Sequence, residues 1–353
     1  MKLKTKLLQD VLGTLTNMIK YVNIKPITNL VEIYADNNEC HIGATDNITK
    51  IIGTIHNVEE PIDNFVVNLQ DLYKLVKLTT KEEIEIKKNK DHIIFKGNGK
   101  YKIPIQFDEV GNEICLPLPL IHFTNEVQLF QLENLKKVQK LQEFALCKDT
   151  NHSELCKYGT IDNKTIATDS FVMSVSNYSL PLNEINNNVV AQICKLPFEV
   201  MSYCVSNSIL RFDNKNDDIT YDGQIYMEQT KEFPSSMIAP ILSADMYNTI
   251  IEINTKELED IIKRLNIFQS AFNVPCVYFE DNKIYNKDKT IEEVISGEVK
   301  QKGDVNVVIK IEQLLNVLRR MDAQITLYLG KTAIKVQDTE KYYIISAMDN
   351  KER

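Results

Sequence analysis

One pattern of helix, strands, helix and strands passes along this chain three times, and that repetition limits its architecture more than any other feature. In the first pass, residues 6–22 read as a helix. Leu7, Leu8, Val11, Leu12, Leu15, Met18 and Ile19 recur at helical spacing on one face. Strands are expected over 30–35, 41–46 and 48–55. Asn68 offers an N-cap for a second helix carrying Leu69, Leu72, Leu75 and Val76. Alternating strands follow at 83–86, 92–95 and 100–105.

The second pass opens with a helix over about 131–146, with Leu132, Leu135, Val138 and Leu141 on one face. The triplet Ala44-Thr45-Asp46 returns as Ala167-Thr168-Asp169. A short helix is predicted to open at Pro197, a favoured first helical position, and to hold Val200, Met201 and Cys204. Asn183–Asn188 reads as a polar turn. The third pass places Leu258, Ile261, Ile262 and Leu265 on one helix and Ile311, Leu314, Leu315 and Leu318 on another, over about 310–322. Leu116-Pro-Leu-Pro-Leu closes the first unit and Phe233-Pro234 through Pro240 the second, since proline disrupts a central strand. The fold class predicted is α+β: three tandem domains over 1–120, 121–243 and 244–353, each with two helices against antiparallel sheets.

Composition excludes several classes. Of 353 residues, 43% are hydrophobic and 25% charged, which suits a globular protein with real cores. No stretch approaches the roughly 20 apolar residues of a membrane helix, so a cytoplasmic protein is expected. Seven cysteines occur without a CxxC pair, which suggests neither a zinc site nor a redox motif, and the five histidines lack metal-ligand spacing. No phosphate-binding loop, GxSxG or GxGxxG is present, so no catalytic residue, metal or cofactor is assigned. Asp46 and Asp169 sit inside a repeated motif, where a turn or cap role outweighs paired acid–base chemistry. The net charge of −8 neither supports nor excludes nucleic acid, because phosphates feel the local field.

With these motifs in order, the chain resembles the bacterial sliding clamp family, the β subunit of DNA polymerase III. The residues that carry the likeness are Lys25-Pro-Ile, Ile42-Gly-Ala-Thr-Asp, Ile166-Ala-Thr-Asp-Ser-Phe-Val-Met, Glu232-Phe-Pro-Ser-Ser-Met-Ile, Leu314–Arg320 and Tyr343-Ile-Ile-Ser-Ala-Met348. The resemblance implies a homodimeric ring of six domains with helices lining the hole, encircling double-stranded DNA without reading its sequence. It implies a replicative DNA polymerase and a clamp loader as partners.

Candidate DNA-facing cations on the predicted helices are Lys74, Lys77, Lys136, Lys137, Lys140, Lys263, Arg264, Arg319 and Arg320; the resemblance adds Lys25. It implies a pocket for a partner peptide at Leu155, Thr168, Ser170, Phe171, Val172, Met173, Pro234, Ile238, Ala239, Ile344 and Met348, and a dimer contact at Ile267 and Phe268. The chain departs from the family where Gly-His-Arg is usual, with Ser170-Phe171-Val172. It departs again at the end, where Ala347-Met-Asp-Asn replaces Pro-Met-Arg-Leu. A phage-encoded clamp, or one of an unusual lineage, that serves a divergent polymerase with a changed peptide fits those departures. The competing reading is an acidic repeat scaffold that binds only protein, which leaves the cation-bearing helices unexplained.

Overall fold

The computed structural model describes all residues except 21–25, 121–127, 207, 216–217, 244–245, 270–273, 281, 288 and 349–353. Its helices are α1 (Thr5–Met18), α2 (Leu69–Lys77), α3 (Leu132–Gln142), α4 (Asn187–Ile193), α5 (Ser235–Ser243), α6 (Thr255–Ile267) and α7 (Ile311–Leu318). Among the described residues, antiparallel strands make up four sheets, of eight, nine, four and four strands.

The apolar stripes read from sequence become the buried faces. In α1, Leu8, Val11, Leu12, Leu15 and Met18 are fully enclosed, and the helix lies against α2 and strand Thr49–His56. At the head of α2, the Asn68 side chain accepts from Asp71 N at 2.9 Å, satisfying an end-of-helix donor as predicted. In α6, Asn254 plays the same part, accepting from Lys256 N at 2.9 Å. Leu258, Ile261, Ile262 and Leu265 are buried there, as are Ile311, Leu314, Val317 and Leu318 in α7.

The chain divides into two compact units. One comprises Met1–Glu133 with Asn188–Gln229, and the other Asn134–Asn187 with Thr230–Arg353. Segment 121–243 therefore contributes to both. Sheet pairing is the cause. Strand Ile219–Tyr226 pairs with Thr49–His56, which completes the eight-stranded sheet of the first unit. Strand Val172–Ser176 pairs with Lys341–Ser346, which completes the nine-stranded sheet of the second.

The helix expected from Pro197 is not there. Val200–Ser206 is a strand, paired with Gln128–Gln131 on one side and Ile209–Lys215 on the other. Met201 and Tyr203 are buried in alternation, so a period of two and two hydrogen-bonded neighbours outweigh the proline cue. The helix is α4, which begins at Asn187 in the last two residues of the stretch read as a polar turn, while Glu184–Asn186 of that stretch form a strand. In α4, Val189, Val190 and Ile193 are buried, which stabilises a helix despite its leading asparagines.

The repeated Thr-Asp motif is a turn device. Asp46 Oδ1 accepts from Ile48 N at 3.0 Å and Thr49 N at 2.6 Å, while Oδ2 accepts from Lys20 N at 3.0 Å. Thr45 Oγ1 accepts from Asn47 N at 3.0 Å, and Asn47 takes a φ of 72°. In the second copy, Asp169 Oδ1 accepts from Phe171 N at 2.9 Å and Val172 N at 2.7 Å, and Thr168 Oγ1 accepts from Ser170 N at 3.1 Å. Both aspartates thus tie a hairpin. Asp46 is buried, so Asp46→Ala strands three backbone donors. It is expected to cost about 2–3 kcal/mol, read as a lower urea midpoint with unchanged slope.

Candidate functional site

Two groups of residues were singled out by the sequence, the helix cations and the apolar set of the second unit. Alternation on α2 places Leu69, Leu72 and Val76 inward and leaves Lys74 and Lys77 exposed. On α3, Leu132, Leu135 and Val138 are buried, while Lys136, Lys137 and Lys140 are exposed. Lys137 Nζ lies 5.3 Å from the Tyr178 ring centroid, a modest cation–π contact. Lys25 lies outside the described residues.

The cations of α6 and at the end of α7 are placed differently. Lys263 Nζ sits 2.7 Å from Glu259 and Arg264 Nε 2.8 Å from Glu293. The Lys263 ammonium holds the Glu259 carboxyl below its ordinary pKa. Arg320 stacks over Phe144, its guanidinium carbon 4.0 Å from the ring centroid, and donates to Asn316 O at 2.6 Å. Arg319 remains exposed. The positive field of these helices therefore falls mostly on α2 and α3, because carboxylates within 3 Å cancel the charge presented by Lys263 and Arg264.

The apolar set is gathered in part. Register aligns Thr168, Met173 and Ile344 across three neighbouring strands, which puts their side chains on one sheet face. Helix α5 lies on that face. Ile238 packs with Met173 and Ile344 and with Ile166, Val175, Phe233 and Ala333. Pro234 and Ala239 belong to the same segment and are half-buried; Pro234 O accepts from Met237 N at 3.0 Å and Ile238 N at 3.1 Å. Phe233 anchors the start. A Cβ on Gly159 would lie 2.1 Å from its ring, so only glycine admits this approach.

Other members of the set lie elsewhere. Val172 is buried but adjoins Met173 in the strand, and so points to the opposite face. Met348 belongs to a separate cluster with Cys276, Val308 and Tyr278, and its N–H donates to Val308 O at 2.9 Å. Leu155 is half-buried at the end of a three-ten helix, Thr150–Leu155, outside both clusters. Ser170 and Phe171 form the tip of the Asp169 turn. Ser170 holds a φ of 77°, a left-handed conformation that costs a residue with a Cβ roughly 1–2 kcal/mol. Phe171 is 54% exposed, and Lys310 Nζ stands 5.1 Å from its ring centroid.

Sequence reasoning missed Phe233, Leu242 and Met246, which complete the cluster around Ile238. The two prolines of 233–240 read as a linker, whereas Ile238 and Leu242, four apart, carried the helical signal. Ile267 and Phe268, at the end of α6, are 74% and 61% exposed. Large apolar side chains open to solvent side by side mark a contact surface more often than a core.

No protein-family model and no curated protein matches this sequence. Solved structures do match its fold. The DNA polymerase III beta chain of Streptococcus pneumoniae aligns over 99% of both chains, with TM-score 0.76 and 15% identity. The DNA polymerase sliding clamp of Bacillus subtilis aligns over 99% of this chain and 98% of its own, with TM-score 0.75 and 14% identity. The DNA polymerase III subunit beta of Pseudomonas aeruginosa aligns over 98% of this chain and 99% of its own, with TM-score 0.77 and 13% identity. The chain has the fold of these proteins along its whole length, at an identity low enough to mark a divergent sequence.

Proposed function

We propose that this chain is a DNA sliding clamp: a processivity factor that closes as a homodimeric ring of three domains per chain around duplex DNA and tethers a replicative polymerase. The observation that carries the reading is the placement of exposed lysines Lys74, Lys77, Lys136 and Lys140 on helix faces opposite buried apolar stripes, in a chain of net charge −8. A scaffold that binds only protein has no use for that segregation. It suits a wall that meets phosphates and leaves bases unread. Such a ring supplies no bond chemistry, which agrees with the turn roles of Asp46 and Asp169. No helix among the described residues is long and apolar enough to cross a membrane; the work proposed here belongs in the cytoplasm, where the DNA is.

Topological attachment gives the test. Loaded on closed circular DNA by a clamp loader, the protein should stay bound through a high-salt wash and be released when the circle is cut. Equal retention on cut and closed DNA sinks the ring.

Closure between two copies draws support from sheet edges that are unpaired among the described residues. The four-stranded sheet of the first unit ends at Lys100–Pro104, and that of the second ends at Glu292–Val294. Edge strands are templates for pairing with another chain. Beside the second edge, Arg264 of the α6 helix already contacts Glu293, so Ile267 and Phe268 lie close in sequence to a group at that edge.

The partner peptide of polymerase and loader is assigned to the surface bounded by Phe171, Pro234, Ile238 and Ala239 over the Thr168–Met173–Ile344 row. Phe171, with Lys310 Nζ over its ring, stands where the resembling family carries histidine. Aromatic anchors of this kind contribute about 0.5–1.5 kcal/mol beyond buried area. Phe171→Ala is therefore expected to weaken a fluorescent polymerase-derived peptide about tenfold in anisotropy titrations, with the fold intact by circular dichroism. Unchanged affinity would remove Phe171 from the site.

A further inference from the structure

Cys147 and Cys156 flank residues 148–155, a spacing that suggests nothing in sequence, yet the fold brings them together. Cys147 N donates to Leu155 O at 3.1 Å, which draws the two ends of this loop side by side. Both thiols then point at one atom: Cys147 Sγ is 3.7 Å and Cys156 Sγ 3.4 Å from Asp149 O. Within the loop, Asp149 caps the three-ten helix Thr150–Leu155 by accepting from Asn151 N at 3.0 Å. Both cysteines are partly open to solvent, whereas Cys40, Cys204 and Cys276 are buried. Among the described residues no three His, Cys, Asp or Glu side chains are placed to hold a metal ion, so the pair is read as a dithiol.

We propose that Cys147 and Cys156 are a modification site, forming a reversible intrachain disulfide by exchange with a small-molecule disulfide such as oxidised glutathione. One cysteine loses its proton and its thiolate attacks the oxidant, making a mixed disulfide and expelling one glutathione thiolate. The second cysteine, deprotonated in turn, attacks the mixed disulfide at the protein sulfur and expels the other. Two cysteine thiols are oxidised, one external disulfide is reduced to two thiols, and the two protons pass to the leaving thiolates. The bond staples the loop that ends in Leu155. Its formation does not depend on whether this chain is a clamp or on whether Leu155 meets a peptide.

Burial first, then the neighbouring Cys147 thiol and Asp149, push the Cys156 thiol above its ordinary pKa. Thiolate is scarce at neutral pH, and exchange quickens as pH rises.

The full chain is incubated with oxidised glutathione, blocked with iodoacetamide without reduction, digested and mapped by mass spectrometry. The expected product joins the peptides of Cys147 and Cys156, is two hydrogens lighter, forms faster at alkaline pH and is reversed by dithiothreitol. In Cys147→Ser, Cys156 should stop at the mixed disulfide. Recovery of both cysteines from the unaltered chain as alkylated thiols, or as separate glutathione adducts, overturns the proposal.

Discussion

Replacing Lys136, Lys137 and Lys140 together by glutamine is expected to make the salt dependence of duplex binding shallower by about 3 in log–log slope. Each lysine that neutralises a phosphate releases a condensed counterion and adds about 0.9 to that slope. The three lysines lie on the exposed side of α3, away from Leu132, Leu135 and Val138, so their removal leaves the core untouched. Replacing Lys263 and Arg264 in the same way should change the slope by less than about 1, because Glu259 and Glu293 already neutralise them. Anisotropy of a short labelled duplex, titrated at several salt concentrations, reads both slopes. A larger effect from the α6 pair than from the α3 trio would reverse the assignment of the DNA-facing wall.

The second large effect concerns assembly. Ile267→Asp combined with Phe268→Asp should convert a dimer into single chains of 40.6 kDa in sedimentation. Burying a side chain of this size stabilises by about 1.5–3 kcal/mol. Losing two therefore removes roughly 3–6 kcal/mol from each contact, on the order of 10²- to 10⁴-fold in its dissociation constant. Both residues are already exposed in the single chain, so the substitutions should leave its thermal unfolding nearly unchanged. A variant that remains dimeric places the contact elsewhere. A variant that unfolds shows these residues to be part of the core instead.

Retention on circular DNA and the α3 substitutions probe different links. The first asks whether the molecule encloses the duplex; the second asks which side chains the duplex meets once inside. An enclosing ring needs only weak contacts, because topology rather than charge prevents escape. Exposed lysines for which no ion pair occurs among the described residues, such as Lys136 and Lys140, suit that regime better than cations locked to carboxylates.

Local sequence determined the elements whose own residues decide their conformation. The apolar stripes of α1, α3, α6 and α7, the Asn68 cap and the repeated Thr-Asp turns all follow from spacing and from side-chain hydrogen bonds within a few residues. Tertiary structure decided what depends on partners far along the chain. Val200–Ser206 became a strand because Gln128–Gln131 and Ile209–Lys215 offered hydrogen bonds on both sides. The segment 121–243 was shared between two units because its strands pair with Thr49–His56 and Lys341–Ser346. The peptide candidates Met173 and Ile344 met through register, while Val172 and Met348 were sent to other surroundings by alternation and by a different backbone partner. The charges of Lys263 and Arg264 were visible in sequence, but their cancellation was only partly so. Glu259 lies one helical turn from Lys263, whereas Glu293 reaches Arg264 only through the fold, since electrostatic attraction depends on distance in space.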